Sequence, residues 1–446
     1  MAVHPSFGEA LRVWLRIGLL SFGGPAAQIA TMHRILVDEK GWVGETRFLH
    51  ALNFCMLLPG PEAQQLATYI GWLLHRTLGG LVAGILFVLP GFIVMMGLAG
   101  LYAGFHQVPL VDGLFYGIKP AILAVVIEAV LRIGRRALKA RELVAVAAIA
   151  FIAIFFLGIP FPFIILAAGI VGFLGARAGH PAFLPKSDAA AKGGAADRTI
   201  EDGAAHTRPD FGRSLRVAAI CLILWLAPVV ASMIWGQGAF GAIGLFFSKM
   251  AVVTFGGAYA VLAYVAQQAV EVHRWLAPAE MLEGLGLAET TPGPLILVNQ
   301  FVGFLAGYRD PGGLNPWLGG VLGATLTVWV TFTPCFLWIL AGGPYVETLR
   351  GNRALSGALA AITAAVVGVI FNLGIWFALH VLFARVDERD FGPLHLSVPD
   401  LGSLDPLALV LAVTAAIAML RMHVGMIATL GASACVGIAW RLLLLP

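Results

Sequence analysis

Charge is what this sequence has least of. Only 12% of its 446 residues are Asp, Glu, Lys or Arg, against roughly 25% in soluble domains. That scarcity excludes a water-facing surface over most of the chain. The net charge of +4 is too small for a nucleic-acid surface, so no nucleic-acid partner is expected. Cysteine is scarce too. Cys55, Cys221, Cys335 and Cys435 all sit in apolar segments, with no metal-site or redox spacing. They read as small buried hydrophobes, and neither metal nor cofactor is expected. His33 and His75 have no carboxylate or cysteine at metal-ligand spacing. No His-x-x-x-His, Walker or Gly-x-Ser-x-Gly pattern occurs in a suitable setting, which argues against an enzyme and against an ATP-driven pump. The first apolar segment carries Glu9, Arg12 and Arg16 and is too charged for the apolar core of a signal peptide.

Apolar residues fill the gap. They make up 59% of the chain, and the mean hydropathy is +0.90. Apolar runs of about twenty residues recur, and alternating ten-residue strands do not. The chain is therefore expected to be an all-α polytopic membrane protein with the lipid bilayer as its first partner. Its 54 glycines suit close helix packing, for which Gly319, Gly320 and Gly323 are one candidate face.

Two punctuations of the apolar pattern recur at a fixed offset. Ser21-Phe22-Gly23-Gly24 leads through Trp42 to Pro59-Gly60-Pro61, and Thr254-Phe255-Gly256-Gly257 leads through Trp275 to Pro292-Gly293-Pro294. Phe22 and Phe255, Trp42 and Trp275, and Pro59 and Pro292 each lie 233 positions apart. Arg16 and Lys249 obey the same offset, each five residues before its Ser or Thr. Such a repeat marks a duplicated half, and Gly/Pro breaks within apolar segments mark its working part. The expected organisation is a first repeat over 1–177, a flexible cytoplasmic linker over 178–214, an extra transmembrane helix over 215–237 and a second repeat over 238–446.

Charge bias sets the orientation. Arg132, Arg135, Arg136, Lys139 and Arg141 place the loop after the fourth segment in the cytoplasm, as Lys186, Lys192, Arg198, Arg208 and Arg213 place the linker. The corresponding loop of the second half holds Asp387, Glu388, Asp390, Asp400 and Asp405 against Arg385 and Arg389, and reads as outside. With the extra helix, thirteen segments in all, the halves form an inverted-topology repeat. Whether the broken segments cross or re-enter is open at this level.

The breaks concentrate the candidate chemistry. A helix interrupted by Gly-Gly offers free backbone N–H groups and the positive end of a half-helix dipole, an anion nest. Candidate oxyanion-binding residues are Ser21, Phe22, Gly23, Gly24, Thr254, Phe255, Gly256 and Gly257, with Arg16 and Lys249 facing the same cavity. Lys119, alone in an apolar span, joins them as an intramembrane cation. Gln64, Gln65, Asn53, Asn299 and Gln300 would supply neutral hydrogen bonds. Glu62 follows the first Pro-Gly-Pro and Glu289 precedes the second, so any twofold is broken there. Both are candidate proton carriers, the competing role being helix capping.

The run Ser21-Phe22-Gly23-Gly24-Pro25-Ala26-Ala27-Gln28, followed by Leu58-Pro59-Gly60-Pro61-Glu62-Ala63-Gln64-Gln65-Leu66, resembles the chromate ion transporter family. So do Thr254-Phe255-Gly256-Gly257-Ala258-Tyr259 and Ala288-Glu289-Thr290-Thr291-Pro292-Gly293-Pro294. The likeness is to the long two-domain type. It implies efflux of chromate through a bacterial inner membrane, with resistance to chromate. It also implies coupling to protons or membrane potential, and short members that work in pairs make a homo-oligomer admissible. Under this expectation protonation of Glu62 or Glu289 links proton entry to anion exit. A sulfate or other oxyanion carrier, a passive anion channel and a lipid-handling scaffold are the alternatives.

Overall fold

The computed structural model describes residues 5–106, 108–184, 209–255, 258–345, 353–392 and 394–444. Gly256, Gly257 and most of the 178–214 linker lie outside the described residues. Before the linker come α1 (Phe7–Leu20), α2 (Gly24–His33), α3 (Glu45–Cys55), α4 (Glu62–Phe105), α5 (Pro109–Ala137), α6 (Arg141–Phe155) and α7 (Phe161–Arg177). The extra helix is α8 (Phe211–Trp235). The second half has α9 (Phe240–Val253), α10 (Ala258–Gln267), α11 (Pro278–Thr290), α12 (Val298–Arg309) and α13 (Pro316–Gly342). It ends with α14 (Arg353–Leu382), α15 (Pro406–Leu420) and α16 (Met426–Leu444).

Among the described residues, six helical stretches are long and apolar enough to cross a membrane: 62–105, 109–137, 211–235, 316–345, 353–382 and 426–443. The remaining apolar helices are shorter. α1 has 14 residues and α2 has 10. At 1.5 Å per residue these reach about 21 and 15 Å, short of a hydrocarbon core of about 30 Å. The breaks therefore leave half-length helices.

Local rules account for the element ends. Ser6 caps α1 by accepting from the Glu9 N–H, Asp210 caps α8, Asn315 caps α13 and Asp405 caps α15. The expectation of an all-α chain needs one correction. The acidic loop of the second half holds an antiparallel hairpin, β1 (Val386–Phe391) and β2 (Leu394–Pro399), with Val386 opposite Pro399 and Phe391 opposite Leu394. Asp387, Glu388 and Arg389 masked it as a solvated loop, since period-2 patterning is weak where both faces are largely polar.

The sequence repeat is visible in the backbone. Residues 34–39 and 268–272 both widen into π turns. The Trp42 N–H donates to Leu36 O at 2.9 Å, and the Trp275 N–H to Ala269 O at 2.7 Å, the same bond 233 residues on. Gly41 and Arg274, again 233 apart, both take positive φ, +60° and +53°. The halves differ later. α4 kinks at His75 and Arg76, whereas the equivalent second-half helices are separated by residues 310–315.

The chain forms two compact units that cut across the repeats. One takes the chain up to Leu98, α8, α9 and residues 288–345; the other takes 99–184, 259–287 and the chain from Arg353 onward. In the first unit α13 packs on α12, α9 and α8. A Cβ on Gly307, Gly319 or Gly323 would strike facing backbone, and one on Gly320 would meet the Phe304 ring, so this glycine face is a close helix contact. In the second unit α5 packs on α15 and α16, and α14 packs on α6 and α7. The fourth long segment of each half thus lies against the last two helices of the other half.

Candidate functional site

The two breaks meet inside the first unit. Gly60, in the first Pro-Gly-Pro, donates its N–H to Thr254 O at 2.9 Å, and Gly293, in the second, donates to Ser21 O at 2.7 Å. The 233 offset turns either bond into the other. Gly60 sits at φ +113° and Gly293 at φ +94°, backbone that side chains with a Cβ rarely adopt. The hydroxyls of Ser21 and Thr254 are also used alike. Ser21 Oγ donates to Ile17 O at 2.6 Å and Thr254 Oγ1 to Met250 O at 2.7 Å, tying off the ends of α1 and α9. Their hydrogens are committed to backbone, while their carbonyls hold the opposite break.

Around this crossed frame lies a narrow cavity lined by Pro25, Gln28, Gly60, Glu62, Thr254 and Ile296, among others. Its room is about 20 Å³, enough for one water and too little for a tetrahedral oxyanion without movement of the walls. Three helix beginnings open onto it: the first turns of α2, of α4, and of the tight turn Leu295–Leu297 that runs directly into α12. No side chain caps α2 or that turn. Their first N–H groups have no intrahelical partner and carry the positive ends of the helix dipoles. The arrangement suits an anion.

Gly23 and Gly24 occupy positive φ, +80° and +77°, and let the chain turn sharply into α2. Phe22 is 36% exposed and Phe255 is half-buried. Glu62, the first residue of α4, is half-buried and lines the cavity. Glu289 is 2% exposed, near the end of α11, and is not among the described lining residues. Pro292 and Pro294 flank Gly293, with Pro294 in the wall; Pro59 O accepts from Gln65 Nε2 at 2.7 Å, and Pro61 is also in the wall.

The amides form a distinct set. Gln64 donates to Thr68 Oγ1, Asn299 to Met250 Sδ at 3.2 Å and Gln300 to Phe92 O at 2.9 Å. All three, with Gln65, are 1% exposed or less. Each leaves its side-chain oxygen buried without a described partner. Asn53 lies on the exposed face of α3, away from this set.

Three cations are placed elsewhere. Arg16 is on the exposed face of α1, opposite buried Val13, Trp14 and Ile17, and pairs with Glu39 at 3.0 Å. Lys249 is on the exposed face of α9. Neither lines the cavity; a position one residue before a buried Ile17 or Met250 points sideways from it on a helix. Lys119 belongs to the second unit, where Nζ pairs with Glu283 Oε1 at 3.0 Å. The Tyr102 hydroxyl donates to Glu283 Oε2 at 2.6 Å. Sequence reading missed Glu283, although an isolated Lys in an apolar span demands such a partner. Gln28 was also missed as a site residue. It is 1% exposed and donates Nε2 to Gly293 O at 2.7 Å; its apolar neighbours gave no local signal. His33, expected without carboxylates, contacts both Asp38 and Glu45, yet no group able to hold a metal ion forms among the described residues.

Known proteins match along most of this length. The sequence profile of the family described as "Chromate transporter" matches residues 8–173 and 241–438, which are the two repeats without the linker and α8. A chromate transport protein of Pseudomonas aeruginosa is 31% identical over 380 residues, covering 83% of this chain and 81% of that protein. One of Cupriavidus metallidurans is 25% identical over 362 residues, 81% and 80% of the two chains. A probable chromate transport protein of Synechococcus elongatus is 25% identical over 379 residues, 83% and 86%. No solved structure matches the chain. With most of both repeats matched and the breaks inside the matched residues, the chain belongs to the chromate transporter family.

Proposed function

We propose that this protein is a secondary carrier that moves chromate out of the cytoplasm across a bacterial inner membrane, and so confers chromate resistance. One observation carries the reading: the reciprocal bonds Gly60 to Thr254 and Gly293 to Ser21, which draw three helix beginnings around one cavity. Backbone N–H groups at helix starts bind oxyanions without a side-chain cation. A cavity with room for one water favours a carrier over an open channel, since the anion enters only as the walls move. The matching turns and the exchanged packing of α5 and α14 support an inverted repeat with alternating access around the breaks.

The membrane potential, negative inside, favours exit of a dianion by about 4.6 kcal/mol at 100 mV. Export therefore runs downhill, and proton coupling modifies it. The test is chromate flux into everted vesicles, with sulfate as competitor and an imposed pH gradient. Saturable, potential-driven uptake with counterflow is expected. Flux without counterflow would make the protein a channel. Sulfate transported in preference to chromate would reassign the substrate.

A further inference from the structure

Gln28 enters the cavity wall with its orientation fixed. Its Nε2 donates to Gly293 O at 2.7 Å, and a carbonyl cannot donate, so the other end of the amide is the oxygen. Oε1 is buried, and no described residue donates to it. The side chains that share its cavity offer little. Thr254 Oγ1 is committed to Met250 O, and the other lining side chains are apolar apart from Glu62. An ionised carboxylate only accepts hydrogen bonds, whereas a protonated one donates.

We propose that each oxyanion transported through this cavity carries one proton with it, held on the Glu62 carboxyl while the anion is bound, and that Gln28 Oε1 accepts the hydrogen bond of that protonated carboxyl. The inference rests on the reading of the cavity as an oxyanion site. An ionised Glu62 at the start of α4 already gives the helix beginnings the negative charge they favour. A dianion brought beside it would put three negative charges into one small space, and one proton removes that conflict. Empty, the cavity holds Glu62 as carboxylate; loaded, it holds the anion and a neutral carboxyl whose O–H points to Gln28. The proton leaves with the anion on the far side. This is cotransport, opposite in sign to exchange of an entering proton for a departing anion. The complex still bears one net negative charge, so a negative interior still drives it out.

The proton site is single although its frame is double. By the 233 offset Gln28 corresponds to Val261 and Glu62 to Leu295, neither of which can hold a proton. The titratable group facing Glu62 from α3 is Cys55, itself facing Cys335 of α13. The lining residues of α2, of the segment at Thr254 and of the Leu295–Leu297 turn bring no charge.

The test uses the purified full chain in proteoliposomes with an entrapped pH dye, the potential clamped, in mildly alkaline buffer. An inward chromate gradient should acidify the lumen by one proton per chromate. Glu62→Gln, which keeps a neutral donor, should carry chromate without acidification and with a flat pH profile. Gln28→Leu should demand about tenfold more protons for half-maximal flux, one hydrogen bond being lost. A purely structural role for Gln28 would change the amount of folded protein and leave that pH midpoint in place. Lumenal alkalinisation in the parent protein, or chromate entry with no pH change, would overturn the proposal while leaving the carrier reading intact. Absence of flux for both chromate and sulfate would overturn the carrier reading itself.

Discussion

Gly60 donates its backbone N–H to the carbonyl of Thr254 across 194 positions of sequence, at 2.9 Å. Gly293 repeats the bond to Ser21. Each half of the chain thus supplies the partner that the other half's break requires, and a buried backbone donor left without one would cost more than the bond itself gains.

Gly60→Ala tests that frame. A Cβ there would meet Cys335 Sγ at 2.9 Å and Gln65 Nε2 at 3.0 Å, on backbone at φ +113°. Strain of about 1–3 kcal/mol is expected, read as a lower Tm in detergent together with reduced chromate transport. An unchanged Tm would mean that the break relaxes freely.

The Lys119–Glu283 pair should show strong coupling. Removing one partner of a fully buried pair costs about 3–5 kcal/mol. Here the Lys119 side chain keeps 21% exposure, so Lys119→Met or Glu283→Met alone should cost less than that. The double variant Lys119→Met with Glu283→Met should recover part of the loss. A double-mutant cycle on thermal unfolding in detergent measures it, and additive losses would deny the pairing.

Glu271, beyond the end of α10, gives a pH signature. Loss of water around its carboxyl, then the Glu388 charge, raise its pKa, while bonds from Gln267 and Trp376 pull the other way. A raised carboxyl holds its proton in the folded state where the unfolded chain has released it. Its contribution is full below the ordinary carboxylate range and lost as pH rises through the raised value. Glu271→Gln should therefore raise the Tm at neutral pH and match the parent in acid. The gain should be small because the residue keeps an exposed edge.

Opposite orientation of the halves has its own readout. Single cysteines at His106 and Arg389 should react with a membrane-impermeant maleimide from outside the cell, and one at Arg136 only from inside. Labelling of the Arg389 site from the cytoplasm alone would defeat the inversion.

The sequence by itself determined the membrane class, the long apolar helices and the two breaks, because apolar length, proline and positive-φ glycine act locally. It also determined the duplication: the fixed offset between Trp42 and Trp275 reappears as the same backbone bond. The β hairpin stayed hidden because its strands carry little burial pattern. Only the tertiary structure decided which break bonds to which, since that depends on contacts between residues about two hundred positions apart. It turned Arg16 and Lys249 to exposed faces, because a residue's face on a short helix is set by what packs beside it. It supplied Glu283 to Lys119, and it carried Gln28 onto Gly293. The Gly-Gly and Pro-Gly-Pro breaks announced an opening in the helices; the crossing of the two chain halves made that opening one cavity with a carboxyl and a waiting acceptor in its wall.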